Sequence, residues 1–349
     1  MIFYPNAVII DRIDGKEVFV LTLNKKINIK IWLSAGLVTI MVFLSEILME
    51  NEIIFPETAA LVIGAWLSPK HIWRTNREKM LLFMSIAAGA GYYISAYIEE
   101  APLYLKIVVG MLVCMALVLI SQTTMLPLIS ACILPILTEV NNIIYPLSVI
   151  ILTAVVAGGQ ILLEKKKLKK VYRYKPIFYD VPLEIKRWTF IIIVMAVMTG
   201  FALHLDIRFI IAPPLIVAFC EFTYHKSSVR KIPVPVLIMT TLAAFLGAFS
   251  RMLLCTILNL PLTVVVFGVI MLVLYTMKMI KVYFPPAGAI AILPFIIGET
   301  ELYFYPVEIM LGGIVFITLA MVFGKLVKAT PVPKKAVLPE QHTEKENVK

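Results

Sequence analysis

Residues 283–295 read YFPPAGAIAILPF, an apolar run that two adjacent prolines open and a third interrupts. The uninterrupted apolar segment around it, 284–298, contains only 15 residues. A bilayer core about 30 Å thick needs about 20 helical residues at about 1.5 Å each, so this segment is too short to cross as one straight helix. Three other segments are equally short and carry proline at or near the start, and they are 53–68, 125–138 and 209–222. Irregular backbone at membrane depth is tolerated only inside protein or along a wet cavity, which predicts a central position for all four.

The other apolar segments are longer, and they are 31–49, 80–98, 103–121, 144–163, 188–204, 232–256, 260–277 and 304–324. The chain is 60% hydrophobic and 15% charged, whereas soluble domains are about half apolar and about a quarter charged. This composition excludes an ordinary soluble protein, a disordered chain and a nucleic-acid binder. We predict an all-α polytopic membrane protein of the plasma membrane with about 12 segments.

The net charge of +10 is unevenly distributed along the chain. If all twelve segments cross from a cytoplasmic N-terminus, 29 of the 32 Lys and Arg residues lie in inner regions. The outer turns hold acidic residues instead, and these are Glu50, Glu52, Glu99, Glu100, Glu139, Asp206, Glu299 and Glu301. The positive-inside rule then predicts that both termini are cytoplasmic. Re-entrant hairpins at the four short segments would move basic loops to the outside, so short crossings completed by extended backbone are favoured.

The second half of the chain resembles the first at an offset of 156–160 residues. Residues 133–135, ILP, recur as 292–294, and the Tyr-Pro pair at 145–146 recurs at 305–306. The order of long and short segments also matches, which indicates an internal duplication. Because each unit has six crossings, an even number, the two repeats are expected to be parallel and related by an axis along the membrane normal.

These patterns predict five regions of the chain. They are a cytoplasmic N-terminal segment 1–30, membrane repeat 1 at 31–163, a basic linker 164–187, membrane repeat 2 at 188–324 and a disordered cytoplasmic tail 325–349. The first region alternates around Asp14 and Gly15, a pattern compatible with a small β-hairpin. The linker begins EKKKLKK, which is typical of a solvated cytoplasmic loop that attracts anionic lipid.

The four cysteines lie singly within apolar runs, at 114, 132, 220 and 255. Their spacing matches neither a disulfide framework nor a metal site, so we expect small buried side chains and no cofactor.

The run 283–290 resembles the signature of the HPP family of integral membrane proteins, in which His-Pro-Pro-Ala-Gly-Ala opens a short segment late in a compact bundle. Phe284 stands at the position of the signature histidine. Upstream, residues 212–214, APP, are similar to the family's earlier proline-containing region. The resemblance covers 188–324 and, through the repeat, extends more weakly to 31–163. Because members of this family are linked to nitrite transport, the resemblance implies a small-anion permease.

The starts of the short segments are the candidate solute site. A helix that begins inside the membrane presents unpaired N–H groups and a partly positive dipole end, which suit an anion. The residues concerned are Pro56, Thr58, Pro127, Ser130, Pro213, Pro214, Pro285, Pro286, Ala287 and Gly288. The alternative for the small residues is that they only permit close helix packing.

Three ionisable residues within segments are candidates for coupling or gating, because charge is costly in hydrocarbon. Glu57 follows Pro56 and is favoured for proton coupling or gating, with a helix-start carboxylate as the alternative. Glu221 lies near the inner end of its short segment, beside an interfacial turn. Arg251 lies toward the outer face, where it attracts anions or extends to the headgroups.

Together these features favour a permease or channel for a small solute, most simply an inorganic anion such as nitrite, near the interface of the two repeats. The alternative is a substrate-binding membrane subunit that docks a separate energy-coupling partner through 69–79 and 223–231. An enzyme is disfavoured, because the HExxH, GxxxxGK[ST] and GxSxG motifs do not occur. The expected partners are the solute, the bilayer with anionic lipid, and a second copy in a homo-oligomer, but not nucleic acid.

Overall fold

The computed structural model describes residues 16–69, 71–98 and 100–328, and within these ranges the chain forms helices but no strand. The long helices are α1 (Lys16–Leu48), α3 (Arg77–Tyr97), α4 (Leu103–Ser121), α6 (Ile144–Lys165), α7 (Val181–His204), α9 (Pro233–Ser250, extended by a π-helical stretch Arg251–Ile257), α10 (Leu262–Ile280) and α13 (Tyr305–Lys328). These eight are long and apolar enough to cross a membrane, which supports the predicted multi-pass α-helical class.

The short segments form short helices between the long ones. They are α2 (Glu57–Val62, followed by a π-helical turn Ile63–Leu67), α5 (Pro127–Leu137), α8 (Pro213–Thr223) and α11 (Pro285–Ile292, followed by a 3₁₀ turn Leu293–Phe295). A single turn, α12 (Glu299–Leu302), precedes α13. Every residue of these four short helices and their end turns is buried except Glu221, so the prediction of a central position is confirmed.

Proline determines where three of these helices begin. Pro127, Pro213 and Pro285 each occupy the first helical position. The ring fixes φ near the helical value, and the missing N–H is one that has no partner within the helix. In α2 the proline lies one residue earlier, with Pro56 preceding Glu57 at φ −55°.

Contacts between loops define two ends of the bundle. At one end, Lys278 Nζ donates to Asn28 Oδ1 at 2.7 Å, and the Arg74 backbone N–H donates to Thr124 Oγ1 at 2.9 Å. We call it the basic end, and it comprises 26–30, 67–79, 121–124, 164–187, 223–231 and 278–281, excluding residue 70.

The opposite end carries the acidic turns. Asn142 Nδ2 donates to Glu50 Oε2 at 3.4 Å, and Arg208 lies 3.8 Å from Glu139. We call it the acidic end, and it comprises 46–52, 139–143, 204–208, 256–263 and 299–301. The charge separation predicted from the sequence is therefore present in the fold.

Each short helix belongs to a segment that runs from one end to the other. The chain leaves Glu50 at the acidic end, passes through α2 and reaches Leu67 at the basic end. It returns from Gln122 at the basic end through α5 to Glu139 at the acidic end. This path agrees with short crossings and not with re-entrant hairpins.

Two tyrosines make the same contact in the two halves. Tyr145 donates its hydroxyl to the carbonyl oxygen of Ala131 at 2.8 Å, and Tyr305 donates to that of Ile290 at 2.8 Å. The first bond ties α6 to the middle of α5, and the second ties α13 to the middle of α11.

Two glycines also have matching positions. A Cβ on Gly91 of α3 would overlap the backbone carbonyl of Cys132 in α5, and a Cβ on Gly247 of α9 would overlap that of Ala291 in α11. In each half, the absence of a side chain lets a long helix approach the backbone of a short one.

The hairpin considered for the N-terminal segment is wrong in its second half, because α1 already begins at Lys16. Extending an existing helix adds one hydrogen bond per residue, whereas an isolated two-stranded hairpin is marginal in water. Residues 1–15 lie outside the described residues, as do 329–349, which contain most of the predicted disordered tail.

The linker is narrower and better packed than predicted, spanning 166–180 between α6 and α7. Lys169 is buried and donates to the carbonyl oxygen of Ser68 at 2.7 Å, and Tyr179 donates to that of Thr123. The other lysines of the EKKKLKK run are exposed, as expected for a solvated loop. The linker therefore lies across the basic-end termini of α2 and α4.

Candidate functional site: the central cavity

The starts of the four short helices converge on one cavity in the middle of the bundle. Each helix contributes residues of its first turn, and the lining residues are Glu57 and Ala60, Pro127 and Ser130, Pro214 and Val217, and Pro285, Pro286 and Ala289. The free space accommodates about one water molecule, so the site is nearly closed in this conformation.

Two lining side chains are polar. Ser130 donates its hydroxyl to Glu57 Oε1 across the boundary between α5 and α2. Glu57 is 2% exposed, and its second oxygen, Oε2, has no hydrogen-bond partner among the described residues. A buried polar atom without a partner is costly, which makes Oε2 a contact point for a ligand or a proton.

The N–H groups at the start of α8 are not available to a ligand. Pro213 and Pro214 have none, and the N–H groups of Leu215 and Ile216 both donate to the carbonyl oxygen of Ala212, at 2.8 and 3.1 Å. The prediction of unpaired N–H donors is therefore wrong at this start.

The starts of α11 and α2 follow the same pattern. Ala287 N–H donates to Phe284 O at 3.2 Å, behind two prolines that have no N–H group. In α2, Thr58 N–H donates to Phe55 O at 2.9 Å. At these three starts the cavity also faces the positive end of the helix dipole, which the aligned peptide units supply.

Basic side chains lie at the opposite, C-terminal ends of the short helices. Lys30 donates to Leu67 O at 3.1 Å at the end of the α2 segment, and Arg187 donates to Cys220 O at 3.4 Å in the last turn of α8. Cations at helix C-termini are favourable, so the dipoles have positive ends at the centre and compensated negative ends outside.

Arg251 likewise bonds carbonyl oxygens at the C-terminal end of the α11 segment. It donates to the carbonyl oxygens of Pro294 and Ile297, the latter at 2.5 Å. These bonds lie next to the acidic end and away from the cavity lining, so they indicate a structural role and leave the predicted gating role of Arg251 without support.

Burial also affects the ammonium group of Lys169, the linker residue that donates to Ser68 O. Desolvation, reinforced by the nearby charge of Lys30, lowers the pKa of Lys169 in the linker to about 7.

Six predicted site residues line the cavity, and they are Glu57, Pro127, Ser130, Pro214, Pro285 and Pro286. Five others are buried beside it without lining it, and they are Pro56, Thr58, Pro213, Ala287 and Gly288. A Cβ on Gly288 would overlap the side chain of Ile63, in the π-helical turn after α2, which supports the packing alternative for this glycine. Glu221 lies at the basic-end terminus of α8, half-buried and away from the cavity.

Three lining residues were missed from the sequence, and they are Ala60, Val217 and Ala289. Each lies three positions after a lining residue at a helix start, as Ser130 does after Pro127. Residues three apart share a helix face, so this spacing is the signal that identifies them.

A second cavity lies at the basic end beside the last turn of the α2 segment. Its lining residues are Gly64, Ala65, His71, Ile72, Trp73, Thr75, Asn76, Arg77, Met80, Gln160 and Tyr172. Arg77 pairs with Glu164 at 2.7 Å, and burial lowers the pKa of His71. Gly64 follows Glu57 by seven positions, so one side of the α2 segment leads from the central cavity toward this one.

Comparisons of the chain with protein-family models, with curated proteins and with solved structures find no significant match. The resemblance to the HPP family therefore stays a prediction that rests on the residues quoted above.

Proposed function

We propose that this protein is a permease for a small inorganic anion such as nitrite, which passes through the central cavity between two parallel repeats. The basic end is assigned to the cytoplasm by the positive-inside rule. The matched tyrosine and glycine contacts of the two halves support the duplication, and the Pro-Pro-Ala-Gly run supports the relation to HPP proteins.

The observation that carries this proposal is the convergence of four helix starts on one buried cavity. Positive dipole ends that face a narrow passage favour anions and oppose cations. Three basic residues of the long helices contact the short helices, and they are Lys30, Arg187 and Arg251. Each one bonds the end of a short-helix segment that is remote from the cavity, so none of the three places a fixed cation in the path.

The path is supported by the positions of the two cavities. The central one is nearly closed, and the one at the basic end is separated from it by the α2 segment. A closed centre favours a transporter that changes conformation over a permanently open pore. Gly64, against which the Trp73 ring packs, lies in the π-helical turn after α2 and lines the cavity at the basic end.

The alternative of a separate energy-coupling partner requires free surfaces on the loops 69–79 and 223–231. His71 of the first loop already contacts the linker, with its ring stacked on Tyr172 at 4.7 Å and bonded to Lys170 O at 3.1 Å. This contact covers part of the surface that the loop 69–79 would offer to a partner.

The test is flux through the purified protein in liposomes. Nitrite, nitrate and formate are supplied to vesicles with the protein inserted in known orientation, and protein-free vesicles provide the background. We expect protein-dependent uptake of at least one of these anions and none of potassium. If correctly inserted protein transports none of these three anions, the proposal is wrong.

A further inference from the structure

An anion in the central cavity finds few hydrogen-bond donors. Pro127, Pro214, Pro285 and Pro286 have no N–H group, and the hydroxyl of Ser130 is already committed to Glu57. Lining positions 60, 217 and 289 are apolar. A dry anion without donors is strongly disfavoured, so the dipole ends alone do not complete the site.

Glu57 Oε2 is the polar atom that remains. It is buried, without a partner among the described residues, and belongs to a residue that lines the cavity. As a carboxylate it would repel an anion, but as a carboxylic acid its O–H would donate a charge-assisted hydrogen bond to one. The same atom therefore decides, through its proton, whether the cavity accepts an anion.

We propose that Glu57 carries one proton with each monovalent anion, so that the permease is an electroneutral proton–anion symporter. A hydronium ion at one end gives its proton to Oε2 and is left as water. The anion accepts a hydrogen bond from that O–H, and the proton and the anion then leave toward the other end, which regenerates the carboxylate. The charges of proton and anion cancel, and no other reactant is needed. This inference rests on the proposed function and adds its coupling.

The surroundings of Glu57 are consistent with this role. Tyr145 of α6 and Tyr305 of α13 are the titratable side chains whose charge would act on it, and each hydroxyl is already donated to a backbone carbonyl. The basic residue Lys30 of α1 is held at the far end of the α2 segment. From α5, the thiol of Cys132 points to Gly110 O at 3.8 Å. Among these groups, a proton on Oε2 therefore competes with no fixed cation.

Nitrate is the most informative probe, because its conjugate acid does not form in the physiological pH range and cannot leak through lipid. Vesicles containing the protein are given an inward proton gradient, and nitrate uptake is recorded together with internal pH. We expect about tenfold accumulation per unit of pH gradient, with proton entry at a one-to-one ratio and no response to an imposed membrane potential. If nitrate is not a substrate, the same measurement is made with nitrite.

The variant Glu57→Gln separates coupling from binding. An amide N–H₂ still donates to an anion but carries no proton, so uptake should become independent of the proton gradient and responsive to potential. Glu221→Gln is the matched control, because this carboxyl also lies in a short helix but not at the cavity, and it should behave as wild type. Glu57→Asp keeps the carboxyl and should retain coupling at a lower rate. This variant still tests the inference if Glu57→Gln does not fold.

Three results would overturn the inference, and each is distinct from failure of the proposed function. They are wild-type flux that follows potential and ignores the proton gradient, gradient-driven accumulation in Glu57→Gln, and equal loss of coupling in Glu221→Gln. Absence of any anion flux in wild-type protein would instead remove the proposed function together with its coupling.

Discussion

Replacing Arg187 with methionine removes the cation from a buried ion pair. Arg187 and Glu184 are each 3% exposed, and the guanidinium donates to the Glu184 carboxylate. It also donates to Thr223 Oγ1 at 3.2 Å and to Cys220 O at 3.4 Å, both in the last turn of α8. The substitution therefore leaves a buried carboxylate unpaired and frees the outer end of a helix whose start lines the cavity.

The expected loss of stability is large for a single substitution. Breaking a buried pair costs about 3–5 kcal/mol, because the remaining charge is left without a partner. Methionine preserves most of the packing volume, so we expect a loss of about 4 kcal/mol for Arg187→Met. Glu184→Gln/Arg187→Met leaves no unpaired charge and should cost about 2 kcal/mol less than the sum of the two single changes.

Reversible unfolding in mixed micelles, followed by circular dichroism, measures these differences. Arg208→Met is the control, because its side chain is 42% exposed and its partner Glu139 lies 3.8 Å away. An exposed pair contributes about 0–1 kcal/mol, so the control should be close to wild type. A loss below about 1 kcal/mol for Arg187→Met, or strict additivity of the double variant, would refute the buried pair as the anchor of α8.

Three further predictions concern the packing around the short helices and the docking of the linker. Gly91→Ala and Gly247→Ala should each cost about 1–3 kcal/mol in the same unfolding assay, because the new methyl group meets a backbone carbonyl, whereas Gly158→Ala meets nothing within 4 Å and should be neutral or stabilising. Arg251→Gln should lower stability by about 1–3 kcal/mol through unpaired carbonyls yet leave anion selectivity in liposomes unchanged, and altered selectivity would restore its gating role. The pKa of Lys169 is lowered to about 7, against an ordinary value of about 10.4. Between these two values the docked linker has released a proton that the free linker keeps. Docking should therefore strengthen from about pH 7 toward pH 10, by up to about 1.4 kcal/mol per pH unit. Hydrogen exchange of 166–180, corrected for intrinsic rates, measures this, and Lys169→Gln should give a flat profile.

Much of the architecture follows from length and proline position. Runs of about 15 apolar residues that begin with proline cannot span a bilayer as straight helices, and this alone predicts that α2, α5, α8 and α11 are central. The convergence of Glu57, Ser130 and the helix-start prolines follows from the same reasoning. The positions of these residues were predictable because each is local to the start of a helix.

The partners of the charged residues were not predictable in this way. Arg251 and Arg187 lie near segment ends, where the sequence alone also allows snorkelling to the headgroups. The carbonyl that each one reaches depends on how a long helix packs against a short one. The availability of N–H donors likewise depends on 3₁₀ bonds such as Ala287 N–H to Phe284 O, which a count of residues does not reveal.

The most direct test of the central cavity is to fill it. Ala289→Val adds two methyl groups to a space that holds about one water molecule, and Ala154→Val adds them to an exposed position of α6 as the control. Both proteins are first shown to be folded and inserted, and nitrate and nitrite uptake into liposomes is then compared. If the anion passes through the cavity, Ala289→Val should lose at least about tenfold in rate, about 1.4 kcal/mol in the barrier, while Ala154→Val transports as wild type. Wild-type uptake by folded Ala289→Val would contradict the account and place the path elsewhere.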